Sequence, residues 1–127
     1  MGTLQQQARA FRSAFQCAKE WNVDTFYMQL SLIQEESREV TQAAFSCEAN
    51  IGAIAAREDL LKELADVVFV CYQMAEYMGW NLDEAMLRVF QSNMSKLDEN
   101  GNVLRRADGK VLKGPNYKPP TLTDLVE

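Results

Sequence analysis

The chain has 127 residues, 47% of them hydrophobic and 24% charged, the balance of a globular protein large enough to bury a core. It contains no histidine, which removes the commonest general base, the usual catalytic zinc ligands and the Glu-x-x-His arrangement of di-iron bundles. The net charge of −5 is unevenly spread: Lys96 to Lys118 holds six basic and three acidic residues, so the rest carries −8, an acidic body with a basic arm that does not suit a duplex-DNA binder.

Residues 3–20 read as a first helix, with Leu4, Ala8, Phe11 and Phe15 at helical spacing and the polar stretch Glu20 to Asp24 as its end. The polar, glutamine-rich start, Met1 to Arg12, has neither the apolar stretch nor the cleavage site of a secretory signal, so a cytoplasmic location is expected. Residues 25–49 form the second predicted helix, with Phe26, Leu30, Ile33, Val40 and Ala44 as its stripe, closed by Asn50 and Gly52. The third, 55–78, is apolar around most of its circumference and stops at Gly79. Such a helix belongs at the centre of a bundle or in a subunit interface. Asn81 caps a fourth helix, with Asp83 and Glu84 in its first turn, running to about Leu97. Beyond Asp98 the Asn-Gly and Asp-Gly pairs announce turns and a small hairpin, and Lys113 to Pro120 reads as an extended, proline-stiffened tail. Cys17, Cys47 and Cys71 lie far apart among apolar neighbours, the pattern of reduced core cysteines. The apolar runs all stop short of the roughly 20 residues of a membrane span. These features predict one all-α domain, 1–127, a four-to-five-helix bundle with its helical body at 1–97 and a basic arm at 98–127. Neither a nucleic acid nor a membrane is an expected partner.

The chemistry lies in the acids. At about 100° per residue, Glu36 and Glu39 fall between Leu32 and Ala43 on a second stripe of the second helix, with Glu35 flanking it. Like charges three and four residues apart repel by roughly 0.2–0.5 kcal/mol per pair. Arg38 is the one basic residue near them. On the third helix Asp66 and Glu63 share a narrow polar strip with Asp59 and Gln73, opposite Leu60, Leu64, Val67, Val68, Cys71 and Ala75. A lone buried carboxylate is costly. Antiparallel packing of the two helices lets the pairs meet, and four carboxylates around one point require a cation. Their hard oxygens, with no histidine or nearby thiolate, fit Mg²⁺ or Mn²⁺, whose remaining coordination goes to water and phosphate oxygens.

The pattern Glu35-Glu36-x-x-Glu39, then Glu63-x-x-Asp66, resembles the EExxE…ExxD signature of the MazG-like all-α pyrophosphohydrolase superfamily. Ser92-Asn93-Met94-Ser95-Lys96-Leu97 and Lys113-Gly114-Pro115-Asn116-Tyr117-Lys118-Pro119-Pro120 are similar to the tails of its members. The resemblance implies magnesium-dependent hydrolysis of a nucleoside triphosphate between the α and β phosphorus atoms, giving a monophosphate and pyrophosphate, for house-cleaning or nucleotide-pool control. It implies Glu36, Glu39, Glu63 and Asp66 as the ligands of Mg²⁺, with Mn²⁺ as substitute, and Glu35 as the group that positions or deprotonates the attacking water. Substrate contacts would come from Asn93, Lys96, Lys113, Tyr117 and Lys118. It also implies a homodimer or a dimer-derived tetramer, with the bundle completed across the subunit boundary. The base pocket would lie near Phe11, Phe15, Trp21 and Phe26, residues that read equally well as core. Phosphoribosyl-ATP hydrolysis is the alternative within the class, and a non-catalytic helical dimer that senses nucleotide or metal is the alternative outside it.

Overall fold

A computed structural model describes residues 2–127. The chain is all-α: five helices and no β-strand occur among the described residues. No helix among them is long and apolar enough to cross a membrane. They fall into two compact units, Met1–Trp80 and Asn81–Glu127.

The first unit is built on a helical hairpin. Helix α2 (Val23–Ala49) starts at Asn22, whose Oδ1 accepts the Thr25 amide at 2.8 Å. Helix α3 (Ile54–Met78) ends at Gly79, where φ is +76° and the Trp80 amide reaches the Ala75 carbonyl at 2.9 Å. That left-handed closure suits a residue without a Cβ. The connection between them is too short for anything but an antiparallel return. At the far end, the Asn22 amide donates to the Tyr77 hydroxyl at 2.8 Å, tying the start of α2 to the end of α3.

Helix α1 (Leu4–Ala14) begins in a capping box, with Thr3 Oγ1 accepting the Gln6 amide and Gln6 Oε1 accepting the Thr3 amide. It ends about six residues earlier than its sequence suggests. Gln16 adopts a left-handed φ of +53°, the Cys17 amide closes on the Arg12 carbonyl at 2.9 Å and the Gln16 amide on Ser13 at 3.3 Å. This is the hydrogen-bond pattern of a glycine-type helix stop, made by glutamine. The buried face of α1 also differs from the expected stripe: Gln5, Ala8 and Arg12 are inside, whereas Leu4, Phe11 and Phe15 are exposed. Partners on α3 explain the inversion. Glu76 accepts from Gln5 Nε2 and Arg9 Nε, and Gln73 Oε1 accepts from Arg12 at 3.4 Å, so hydrogen bonding offsets the cost of burying polar groups. Cys47 is buried as expected of a core thiol, while Cys17 is half-exposed; all three cysteines are free.

In the second unit, α4 (Leu82–Met94) is capped by Asn81 Oδ1 on the Glu84 amide. It stops three residues short of Leu97. Ser95 Oγ donates to the Ser92 carbonyl at 2.6 Å, a local bond that competes with helix continuation, and the Lys96 and Leu97 amides fall back to carbonyls three residues earlier. A small hairpin forms as read, pairing Arg105 with Val111. The tail then docks on the end of α4: the Gly114 amide donates to the Lys96 carbonyl at 2.8 Å, Ser92 Oγ to the Lys118 carbonyl at 2.7 Å, and the Lys118 amide to Ser95 Oγ at 2.9 Å. A short helix, α5 (Thr123–Val126), was not anticipated; Arg88 holds it through both oxygens of Asp124 at 2.7 and 3.0 Å. The approach at Gly114 is close enough that a Cβ would strike the Lys96 carbonyl oxygen. Gly114→Ala is therefore expected to cost about 1–3 kcal/mol, the scale of overpacking a tight contact. It should detach the tail, read as faster proteolysis at 113–120; unchanged cleavage and stability would show the contact yields freely.

Candidate metal centre

The antiparallel hairpin brings the two acidic strips together. One carboxylate oxygen each from Glu36, Glu39 and Glu63 lies within 4.8 Å of the other two, and all three side chains are half-buried. The register follows from the helices: Glu36 and Glu39 occupy adjacent turns of one face of α2, and Glu63 faces them from α3.

Three acids this close oppose their own ionisation. Burial pushes the Glu36 carboxyl up, a hydrogen bond with Glu39 favours its protonated form, and the charges of Glu39, Asp66 and Glu63 raise it further, to about 7 from an ordinary 4.5. Glu36 Oε2 and Glu63 Oε2 are buried and accept no hydrogen bond among the described residues. A buried carboxylate oxygen without a donor costs free energy. Two such atoms in one cluster have the chemistry of a divalent-cation site of hard oxygen ligands, so the residues fit Mg²⁺ or Mn²⁺.

Asp66 stands beside this trio without joining it. Its Oδ2 pairs with Lys62 Nζ at 2.9 Å, and the same ammonium lies 3.4 Å from Glu63 Oε1. The hydrogen bond to Asp66 and the two carboxylate charges hold the Lys62 ammonium more tightly protonated than usual. Lys62 supplies part of the neutralisation the acids require. It was missed at the sequence level, although its spacing of four residues from Asp66 is the signal of a helical ion pair. Glu35 is exposed on α2, outside the trio.

The proposed substrate residues all belong to the second unit. Asn93 is exposed and Lys96 half-buried at the end of α4; Lys118 engages the serines there through its backbone; Lys113 Nζ sits 4.8 Å above the ring of Tyr117. The aromatic residues near α1 form two groups. Phe11 stacks on Phe15 at 4.5 Å and meets Phe69 edge-on at 5.0 Å, while Trp21 packs on Phe26 at 4.9 Å and on Tyr77 at 6.4 Å. Phe15 and Trp21 are exposed, so neither is plain core.

An antiparallel helix pair that converges three half-buried glutamates beside a lysine-held aspartate defines an all-α protein with a carboxylate cluster suited to a hard divalent ion. The chain belongs to the MazG-like family, whose profile matches residues 29–107, from the second turn of α2 through α3 and α4 to the first turns of the arm. No curated protein matches it closely enough to count as a relative.

Proposed function

We propose that this chain is a magnesium-dependent nucleoside triphosphate pyrophosphohydrolase, cleaving between the α and β phosphorus atoms to release a nucleoside monophosphate and pyrophosphate. The observation that carries this reading is the convergence of Glu36, Glu39 and Glu63 with two buried oxygens left without donors. Membership of the MazG-like family supports it.

Glu36, Glu39 and Glu63 would hold Mg²⁺ or Mn²⁺, with Asp66, which pairs with Lys62 at 2.9 Å, as the fourth carboxylate available to the ion. The ion, when bound, neutralises phosphate charge and lowers the pKa of a bound water. Glu35, exposed beside the cluster, takes the proton of the attacking water, whose oxygen forms the new bond to the α phosphorus as the bond to the bridging oxygen breaks. Lys62 supplies a cation next to the acids. Asn93, Lys96, Lys113, Tyr117 and Lys118 are assigned to the substrate on chemical grounds, since a triphosphate requires cationic and hydrogen-bonding partners. The whole chain works as one domain, located in the cytoplasm.

We also propose that the working form is a homodimer or a dimer-derived tetramer. Supporting this, α1 and α3 border an apolar groove of about 680 Å³ whose walls include the exposed Leu61, Leu64, Val68 and Phe69. Apolar surface of that kind on a small protein marks an interaction site.

The test is a panel of ribo- and deoxynucleoside triphosphates, with phosphoribosyl-ATP included, incubated with the chain and Mg²⁺ and assayed for pyrophosphate. Release from at least one of them, abolished by chelation, is expected. Tight metal-dependent binding with no release from any would favour a sensor, and release of orthophosphate instead would place the cleaved bond elsewhere.

A further inference from the structure

The first unit carries a polar cavity, separate from the acids. It is a cleft of about 340 Å³ between the end of α1, the residues that follow it and the last turns of α3, lined by Arg9, Arg12, Cys17, Lys19, Glu76 and Tyr77 among others. Glu76 and Tyr77 lie 13 and 14 residues beyond Glu63 on α3, which places the cleft about 20 Å along that helix from the carboxylate cluster.

Its charge is opposite to that of the chain. Three cations line it against the single carboxylate of Glu76, in a protein of net charge −5. That carboxylate is already engaged: Gln5 Nε2 donates to one oxygen at 2.5 Å and Arg9 Nε to the other at 2.8 Å. Burial pushes the Glu76 carboxyl up, but the hydrogen bonds from Arg9 and Gln5 outweigh it and hold the group below its ordinary range, as a settled anion.

Arg12 is the unusual member. Only 8% of it is exposed, yet it makes no ion pair among the described residues. One terminal nitrogen donates to the Ala18 carbonyl at 2.8 Å and the other to Gln73 Oε1 at 3.4 Å, while the guanidinium lies 5.4 Å over the Tyr77 ring. A guanidinium has five N–H donors in a planar fork, so donors remain for a further acceptor. Buried charges are normally paired; the nearby countercharge here is the Glu76 carboxylate, which feels the charge of Arg12 but takes its hydrogen bonds from Gln5 and Arg9. Lys19, exposed at the rim, makes no ion pair or hydrogen bond among the described residues.

We propose that the Arg9–Arg12–Lys19 cleft is an anion-binding site for a phosphate-bearing small molecule, distinct from the carboxylate cluster. An arginine fork held in place by a backbone carbonyl and a ring, with an ammonium at the rim, is the donor set that recognises tetrahedral phosphate oxygens. The cavity matches the lower end of small-ligand sites, roughly 300 Å³. Free pyrophosphate and a nucleoside monophosphate share this chemistry.

The test is isothermal titration of the full chain, in EDTA, with inorganic pyrophosphate, inorganic phosphate and a nucleoside monophosphate. Chelation keeps divalent ions from the acids, so the outcome is independent of whether the chain hydrolyses nucleotides. Saturable binding of at least one anion is expected. Lys19→Gln should weaken it about two- to fivefold and Lys19→Arg should restore it, the effect of one exposed charge. Glu76→Gln, which removes the opposing carboxylate, should tighten it, and Glu39→Gln should leave it unchanged. Arg12→Gln should weaken it by about tenfold or more, as for a charged hydrogen bond; because Arg12 also ties Ala18, the Lys19 pair decides the matter if that variant fails to fold. Tighter binding of pyrophosphate assigns the site to the free anion, and tighter binding of the monophosphate assigns it to a nucleotide. No saturable binding of any of the three, or binding indifferent to Lys19→Gln, overturns the proposal.

Discussion

Glu36→Gln is expected to lower kcat/KM for the best nucleoside triphosphate by roughly three orders of magnitude, because a metal ion contributes several kcal/mol to phosphoryl chemistry and each 1.4 kcal/mol is a factor of ten. The same substitution should make the metal-free protein more stable at pH 8. Within 4.8 Å of two other acids, the ionised Glu36 is repelled by Glu39 and Glu63 and lacks a donor for Oε2. An amide keeps the shape, removes one negative charge and can donate to Glu39. A gain of about 1 kcal/mol in metal-free stability alongside loss of turnover distinguishes a metal-site residue from a structural one, for which both would fall. Denaturant titration in EDTA and a pyrophosphate assay in Mg²⁺ read the two effects. Retained turnover would remove Glu36 from the site.

The second large effect is a dependence of stability on pH that a divalent ion erases. The Glu36 carboxyl is raised to about 7 in the folded chain from an ordinary 4.5. Between those values the folded state keeps a proton that the unfolded state has released. Its contribution is therefore fully present below about pH 4.5 and is lost as pH rises through about 7. The groups facing Glu36 are Glu39 on its own helix and Glu63 and Asp66 on α3, with the Lys62 ammonium, protonated throughout this range, partly offsetting them. Glu76, Asp108 and Asp124 are held below their ordinary values and change stability only in more acidic solution. In EDTA, stability should fall by about 1–3 kcal/mol between pH 5 and pH 8, discounted from the full shift because the acids are only half-buried. With millimolar Mg²⁺ the fall should vanish or reverse, since the ion takes the proton's place. A flat profile in EDTA, or one that Mg²⁺ does not alter, would show that the acids do not interact as described.

How much of this was legible in the sequence varies with the kind of signal. The ends of α2 and α3 could be read because their stops are local: Asn50 closes one and Gly79, at φ +76°, stops the other, whereas the Asn22 cap that starts α2 at Val23 went unread. Glu36, Glu39 and Glu63 could be brought together on paper because helical angles place each on a strip and a short connection forces the helices antiparallel. The diversion of Asp66 onto Lys62 could not be ranked against metal binding by spacing alone. The end of α1 escaped because a glutamine occupies the left-handed position usually given to glycine. Its buried face escaped for a different reason: Gln5 and Arg12 look like surface residues until the acceptors on α3, Glu76 and Gln73, are in place. Helix α5 depends on the Arg88–Asp124 ion pair between residues far apart in sequence, which no local pattern announces.

Direct titration of Mn²⁺ into the chain, followed by electron paramagnetic resonance, asks most simply whether the acids share an ion. Saturable binding that Glu39→Gln weakens by at least about tenfold, and that Mg²⁺ displaces, is the result expected of a shared carboxylate site. Binding that is absent, or as tight in Glu39→Gln as in the unaltered chain, would contradict it.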